Sequence, residues 1–228
     1  MFLIIAAVLP AAYLMLRVYR SDRLEPESPW LMISLVLLGL ISTALAGGAE
    51  QLGERIVSAA AEPGTVPYNA LFYFLIVGPA EEGFKYLTMR WRTWRNPEFN
   101  CQYDGVVYAV FAALGFALWE NIGYVLQYGF RTAIARALTA VPGHACFGVF
   151  MGVWYGIAKR YDLYGAPDRS KRALWLCVIV PALLHGCYDF IASMEAEVYV
   201  LVFLAFVLCM FIASLRIIKR QASRDEYM

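Results

Sequence analysis

Residues 104–127 read DGVVYAVFAALGFALWENIGYVLQ, and this stretch decides the fold. After Asp104 its one formal charge is Glu120. A run of this length matches the roughly 20 residues that an α-helix needs to cross a bilayer at about 1.5 Å per residue. Inside hydrocarbon no water pairs with backbone N–H and C=O groups, so such a segment must satisfy its own hydrogen bonds and be helical.

Working outward, six further apolar segments cover residues 2–18, 30–47, 69–89, 134–158, 173–193 and 197–215. The pattern predicts an all-α, polytopic transmembrane helix bundle of about seven spans, a single domain over residues 1–228. Composition agrees: 61% of the 228 residues are hydrophobic and 16% charged, against about 45–50% and 25% in soluble domains. A net charge of +1, with nearly all basic residues assigned to connections, leaves no basic face and argues against nucleic acid as a partner. In the first apolar run Arg17, Arg20 and Arg23 follow the hydrophobic stretch, the wrong polarity for a cleaved signal, so this segment is read as a retained, short span. The five cysteines form no C-x-x-C pair and are read as small packing residues.

Charge in the connections orients the bundle. Residues 17–29, 90–104, 159–172 and 216–228 hold 3, 3, 5 and 4 of the 19 Lys and Arg residues. The positive-inside rule then places the N-terminus outside and the C-terminus in the cytoplasm, with Arg131 and Arg136 as a mild violation in a short outer connection. Residues 47–67, with Gly47, Gly48, Pro63, Gly64 and Pro67, are expected to form an outer loop. Gly148, Gly152 and Gly156 make a small-xxx-small ladder suited to close helix packing.

With the residues assigned to connections and span ends set aside, seven ionisable residues remain inside predicted spans: Glu81, Glu82, Lys85, Glu120, His144, His185 and Asp189. Each costs at least about 2.5–3.5 kcal/mol to insert, so such groups are functional candidates by default. Counting along antiparallel helices brings them to one layer between the midplane and the outer face. Lys85 lies three and four residues from the two glutamates and can neutralise either one. Pro79, just upstream, is expected to kink the helix and present the pair to a cavity. His185 and Asp189 are four apart, the spacing by which a carboxylate orients an imidazole. Asn121, beside Glu120, is able to donate to an oxyanion.

These residues carry a resemblance. Glu81-Glu82-Gly83-Phe84-Lys85 resembles the EExxK motif of the PrsW family, and Phe116 to Glu120-Asn121 is similar to its FxxxEN segment. His144 and His185-xxx-Asp189 resemble its two later histidine motifs, and Tyr103-Asp104-Gly105-Val106-Val107-Tyr108 extends the likeness. The resemblance implies a multi-pass protease of the bacterial inner membrane. It would make the site-1 cut in a single-span anti-sigma factor, on the extracytoplasmic side, and so release a stress-response sigma factor. A more distant likeness to the CAAX prenyl endopeptidase and bacteriocin-immunity superfamily is broken at two places. Lys85 stands one residue before that pattern's arginine, and Glu120 stands where it has a histidine. These departures speak against prenyl-cysteine peptide processing.

Peptide hydrolysis needs an activated water, a proton donor for the leaving amine and an oxyanion site. The preferred assignment makes Glu81 or Glu82 the general base, with His144 and His185 orienting water and stabilising the oxyanion. Lys85, Glu120, Asn121 and Asp189 support them. No cofactor is required by this reading. A zinc site built from His144, His185 and Glu81 stays open, although H-E-x-x-H is absent. A proton-coupled transporter is the rival of another class. Besides the substrate, the one partner expected is membrane lipid.

Overall fold

The structure is a computed structural model that describes residues 2–22 and 24–228, with side chains from Val8 onward. Its helices are α1 (Phe2–Tyr19), α2 (Pro29–Ala60), α3 (Val66–Phe72), α4 (Gly78–Thr93), α5 (Asp104–Tyr128), α6 (Phe130–Leu138), α7 (Ala140–Leu163), α8 (Pro167–Ala192) and α9 (Glu197–Ser223). A π-helical turn, Tyr73–Val77, joins α3 to α4 without a break. No strand occurs among the described residues.

The all-helical expectation holds, and five helical segments are long and apolar enough to cross a membrane: α2, α5, the α6–α7 run, α8 and α9. Of the other two expected spans, the first is a shorter apolar helix over Val8–Tyr19. The other coincides with the α3–α4 run, whose polarity comes from Glu81, Glu82, Lys85, Arg90 and Arg92. The segment expected over 134–158 is broken at Thr139, where α6 ends and α7 begins.

Residues 47–67 are not the loop expected of them. Helix α2 runs on to Ala60, and only residues 61–65 turn, with Gly64 at φ +82°. Gly47 and Gly48 sit inside the helix, and Gly53 lets α2 close onto Ile76 of the π turn, where a Cβ would collide with the isoleucine side chain. Glycine here permits close packing rather than breaking the helix. Upstream of the turn, Ser28 accepts from Leu31 N and Pro29 occupies the first helical turn, so α2 begins where capping chemistry places it.

Helix α5 is the axis of the molecule, buried from Asp104 to Ala117 and packed against α1, α2 and α7. In a bilayer, apolar side chains gain nothing by leaving lipid for one another, so helices associate through van der Waals fit and close backbone approach. The Gly148–Gly152–Gly156 ladder provides that fit. A Cβ on Gly148 would press on Ala109, one on Gly152 would collide with Gly105 and Val106, and one on Gly156 with Gln102. On the other side of α5, Gly115 meets Val36 and Gly39 meets Ala112 in the same way. At the start of α5 an aromatic cluster fills the core, with Phe99 stacked on Tyr155 at 5.0 Å and edge-on to Tyr108 at 5.2 Å. The cysteines divide: Cys101, Cys146 and Cys177 are buried packing residues as expected, but Cys209 is exposed.

Candidate active site

The glutamate pair owes its position to an irregularity one turn upstream. Pro79 has no N–H, and its ring crowds the carbonyl four residues back, so the chain relaxes into the wide turn Tyr73–Val77 just upstream. That turn is seated on α8, where Gly78 approaches Ala182 O and Gly186 approaches the Phe74 ring. The next turn of α4 then carries Glu81 and Glu82 between α5, α7 and α8.

All seven ionisable residues singled out in the sequence come together. Lys85 Nζ, with no solvent exposure, donates to Glu81 Oε2 at 3.0 Å and to Glu82 Oε1 at 2.8 Å. It also lies 3.1 Å from His144 Nδ1 and sits over the Phe116 ring at 3.9 Å. An ammonium only donates, so His144 Nδ1 is the acceptor and Nε2 carries the proton, donated to Glu120 Oε2 at 2.9 Å. On the other side Glu82 Oε1 accepts from His185 Nδ1 at 2.9 Å, and His185 Nε2 lies 3.3 Å from Asp189 Oδ2. The His185 ring stacks on Phe147 at 4.6 Å, which fixes its plane. The result is one chain of contacts, Asp189–His185–Glu82–Lys85–His144–Glu120, running across α8, α4, α7 and α5.

The two glutamates are not equivalent. Helical geometry turns adjacent side chains about 100° apart. Glu81 faces a cavity of about 310 Å³, whereas Glu82 is fully buried behind it. The cavity is also lined by His144, His185, Glu120 and Asp189. Asn121 does not reach it. Its Oδ1 accepts from Arg136 Nε at 3.0 Å, so in this structure it holds a cation and does not line the cavity.

Two contributors were not singled out in the sequence. Arg136, assigned there to an outer connection, donates from Nη2 to Glu120 Oε2 at 2.8 Å, and its guanidinium lies 4.1 Å from the centre of the Tyr124 ring. Its violation of the charge rule was the available signal, for a cation on the wrong side of a membrane protein needs an anion. Glu50 lines the cavity from α2, and it was hidden because its segment was read as loop.

A profile described as PrsW family intramembrane metalloprotease matches residues 27–215. The chain belongs to the PrsW family. It is 32% identical over 215 residues to Protease PrsW of Oceanobacillus iheyensis, covering 94% of each chain. It is 35% identical over 189 residues to that of Geobacillus kaustophilus, covering 83% of this chain and 79% of the relative. With Protease PrsW of Bacillus subtilis the identity is 31% over 210 residues, covering 90% and 91%. No solved structure matches the chain. As a PrsW-family member with several membrane-length helices, the protein is an intramembrane peptidase, and a protein chain is its substrate.

The family description names a metal, and the donor set here suits one. Glu81, Glu82, His144 and His185 each offer a ligand atom within 4.8 Å of the others, all four residues buried. Two imidazoles with carboxylate oxygens are borderline donors of the kind zinc takes. The Lys85 ammonium is hydrogen-bonded to Glu81 and Glu82 and in contact with His144, so an ion bound among them must displace it.

Proposed function

We propose that this PrsW-family peptidase makes the site-1 cut in a single-span anti-sigma factor, on its extracytoplasmic side, in the bacterial inner membrane. The proposal includes about seven spans, with the N-terminus outside and the C-terminus in the cytoplasm. The observation that carries the chemistry is the division of labour in the glutamate pair: Glu81 lies on the cavity wall and Glu82 is locked behind it between Lys85 and His185.

In this reading Glu81 takes a proton from a water in the cavity while the water oxygen attacks the scissile carbonyl carbon. The carbonyl oxygen gains the negative charge, which His185 and the Arg136 guanidinium on the same wall stabilise. As the C–N bond breaks, Glu81 returns its proton to the leaving amine. Glu82, Lys85 and Asp189 set the orientation of Glu81 and His185. Glu120 holds His144 and Arg136 in place.

Should a zinc ion bind, His144, His185 and Glu81 would hold it, and it would supply Lewis-acid polarisation of the carbonyl and of the attacking water. In that version Glu81 would be a ligand, and the Lys85 ammonium would be displaced from the group. The test is cleavage of candidate single-span anti-sigma factors by the purified protein in detergent, with Glu81→Gln, Glu82→Gln and His185→Ala alongside, each with and without a strong chelator. Loss of cleavage in folded variants supports the site, and chelator inhibition reversed by zinc assigns the metal. Cleavage by all three variants overturns it. Fusions reporting on either side of the membrane test the orientation.

A further inference from the structure

Besides the peptidase cavity the structure has a larger one, of about 660 Å³, lined by α1, α7 and α9. Helices α1 and α9 each rest on α7, and its wall is apolar along Leu14 and Val18 of α1, Ala145 and Val149 of α7, and Phe211 and Leu215 of α9. The two cavities share no lining residue, so none of the groups given a part in peptide hydrolysis belongs to this one.

One end of this cavity is basic. Arg17 and Arg20 stand at the end of α1 and Lys219 in the last turns of α9, and all three line the cavity, which no Asp or Glu does. Among the described residues the ion pairs made by Lys and Arg come from Lys85, Arg136 and Arg160, so these three cations are paired with no acid. A cavity that is apolar along its length and cationic at one end has the polarity of a phospholipid, whose chains fill hydrocarbon space and whose phosphate stays at the interface. Basic pockets between membrane helices take anionic head groups for this reason. A void among the helices forfeits dispersion contacts on every side unless something fills it. A transmembrane helix fits poorly: about 10 Å across, a length of about 15 Å would occupy about 1,200 Å³, nearly twice the space. Acyl chains are thinner and conform to the wall.

We propose that the cavity between α1, α7 and α9 holds an anionic phospholipid, its acyl chains against Leu14, Val149, Phe211 and Leu215 and its phosphate on Arg17, Arg20 and Lys219. The lipid fastens the first and last helices of the chain to α7. Helix α9 depends on it most, since nearly all of its apolar surface lies outside the bundle. The orientation proposed above puts the basic end in the cytoplasmic leaflet. Binding in detergent does not depend on that orientation, so the two fail separately.

The experiment follows thermal unfolding of the full, delipidated chain in a neutral detergent as phosphatidylglycerol, phosphatidylcholine with the same chains, or glycerol phosphate is added. At about 100 times its dissociation constant phosphatidylglycerol should raise the midpoint by roughly 5–10 °C, and the other two by much less. Arg17→Gln, Arg20→Gln and Lys219→Gln should each weaken phosphatidylglycerol binding about fivefold. Ala222→Trp, which fills the cavity from α9, should abolish binding with the three cations intact. Arg172→Gln, exposed near the start of α8 and outside the cavity, should change nothing. A photo-cross-linking side chain in place of Ser223, at the cavity edge, should capture lipid in vesicles of equal parts phosphatidylglycerol and phosphatidylcholine. The proposal is overturned by a midpoint indifferent to phosphatidylglycerol, or by an equal response to phosphatidylcholine or to glycerol phosphate alone. It is overturned as well by affinity that survives all three charge variants or Ala222→Trp, by an equal loss in Arg172→Gln, or by cross-linking to a second copy of the chain in place of lipid.

Discussion

The two ends of α5 bury acidic side chains in opposite ways. Around Glu120 the carboxylates are interleaved with Lys85, Arg136 and two imidazoles, so Glu81, Glu82, Glu120 and Asp189 each lie against a basic side chain and the group borders a cavity. Around Asp104 the carboxylates of Asp22, Glu27 and Asp104 lie beside one another, and the Asn100 and Cys101 N–H groups donate to Asp104. The difference shows what each end is for. Alternating charges linked by hydrogen bonds can pass a proton or hold a water without importing anything. A carboxylate held by backbone N–H groups, as Asp104 is, fixes the course of a connection instead.

The hardest blow to the alternating end is removal of its shared cation. Lys85→Met takes the ammonium from Glu81 and Glu82 and leaves them only His185, and breaking a buried pair costs about 3–5 kcal/mol. Thermal unfolding in detergent should fall accordingly and cleavage should vanish; an unchanged midpoint would show that the glutamates are held by something other than Lys85. Next in size, Glu81→Gln should lower kcat by about 10²–10⁴-fold, the usual contribution of a general base, with the midpoint of unfolding kept. Glu82→Gln should lower activity and stability together because it also frees His185. Equal stability in the two variants would erase the division of labour within the pair. Arg136→Ala should reduce cleavage by about 10- to 100-fold through loss of a charge-assisted bond to Glu120, with Arg136→Lys recovering part of it. Kinetics on one substrate decides whether kcat or KM carries the change.

The smallest effects test the scaffold on which the comparison rests. Gly152→Ala drives a methyl into Val106 at the α5–α7 contact and should cost about 1–3 kcal/mol. Gly48→Ala adds the same methyl where nothing lies within 4 Å, and should stabilise by roughly 0.5–1 kcal/mol. Chemical or thermal unfolding of the pair in one detergent reads the contrast.

Much of this could be read from the chain. Charged residues in apolar runs are conspicuous because their insertion cost makes them rare, which is why Glu81, Glu82, Lys85, Glu120, His144, His185 and Asp189 stood out and why they converge. Glu50 did not, because its segment was read as a polar loop, and Arg136 was assigned to an outer connection, where its charge registered only as an exception to the positive-inside rule. The error at 47–67 has a related cause. Gly47 and Gly48 punctuate soluble sequences, but in a packed membrane bundle glycine is compatible with a continuing helix, and α2 runs through both. The place of Asn121 outside the cavity has a geometric reason. It follows Glu120 by one residue, so its side chain leaves the helix about 100° round from that of Glu120 and meets the other edge of the same Arg136 guanidinium.

The π turn at Tyr73–Val77 also acts as a register setting. It holds one residue more than an α-helical turn would, so α3 and α4 are wound out of phase by one position. A lineage that lost a single residue there would keep a helix of nearly the same length and hydrophobicity. The segment before the turn would nevertheless be rotated by about a quarter revolution relative to Glu81 and Glu82. Phe74 and Ile76 would then leave Gly186 and Gly53, the contacts that seat the glutamate pair against α8 and α2. The spacing between Tyr73 and Pro79 is therefore a length constraint on the chain, invisible to any count of matching residues.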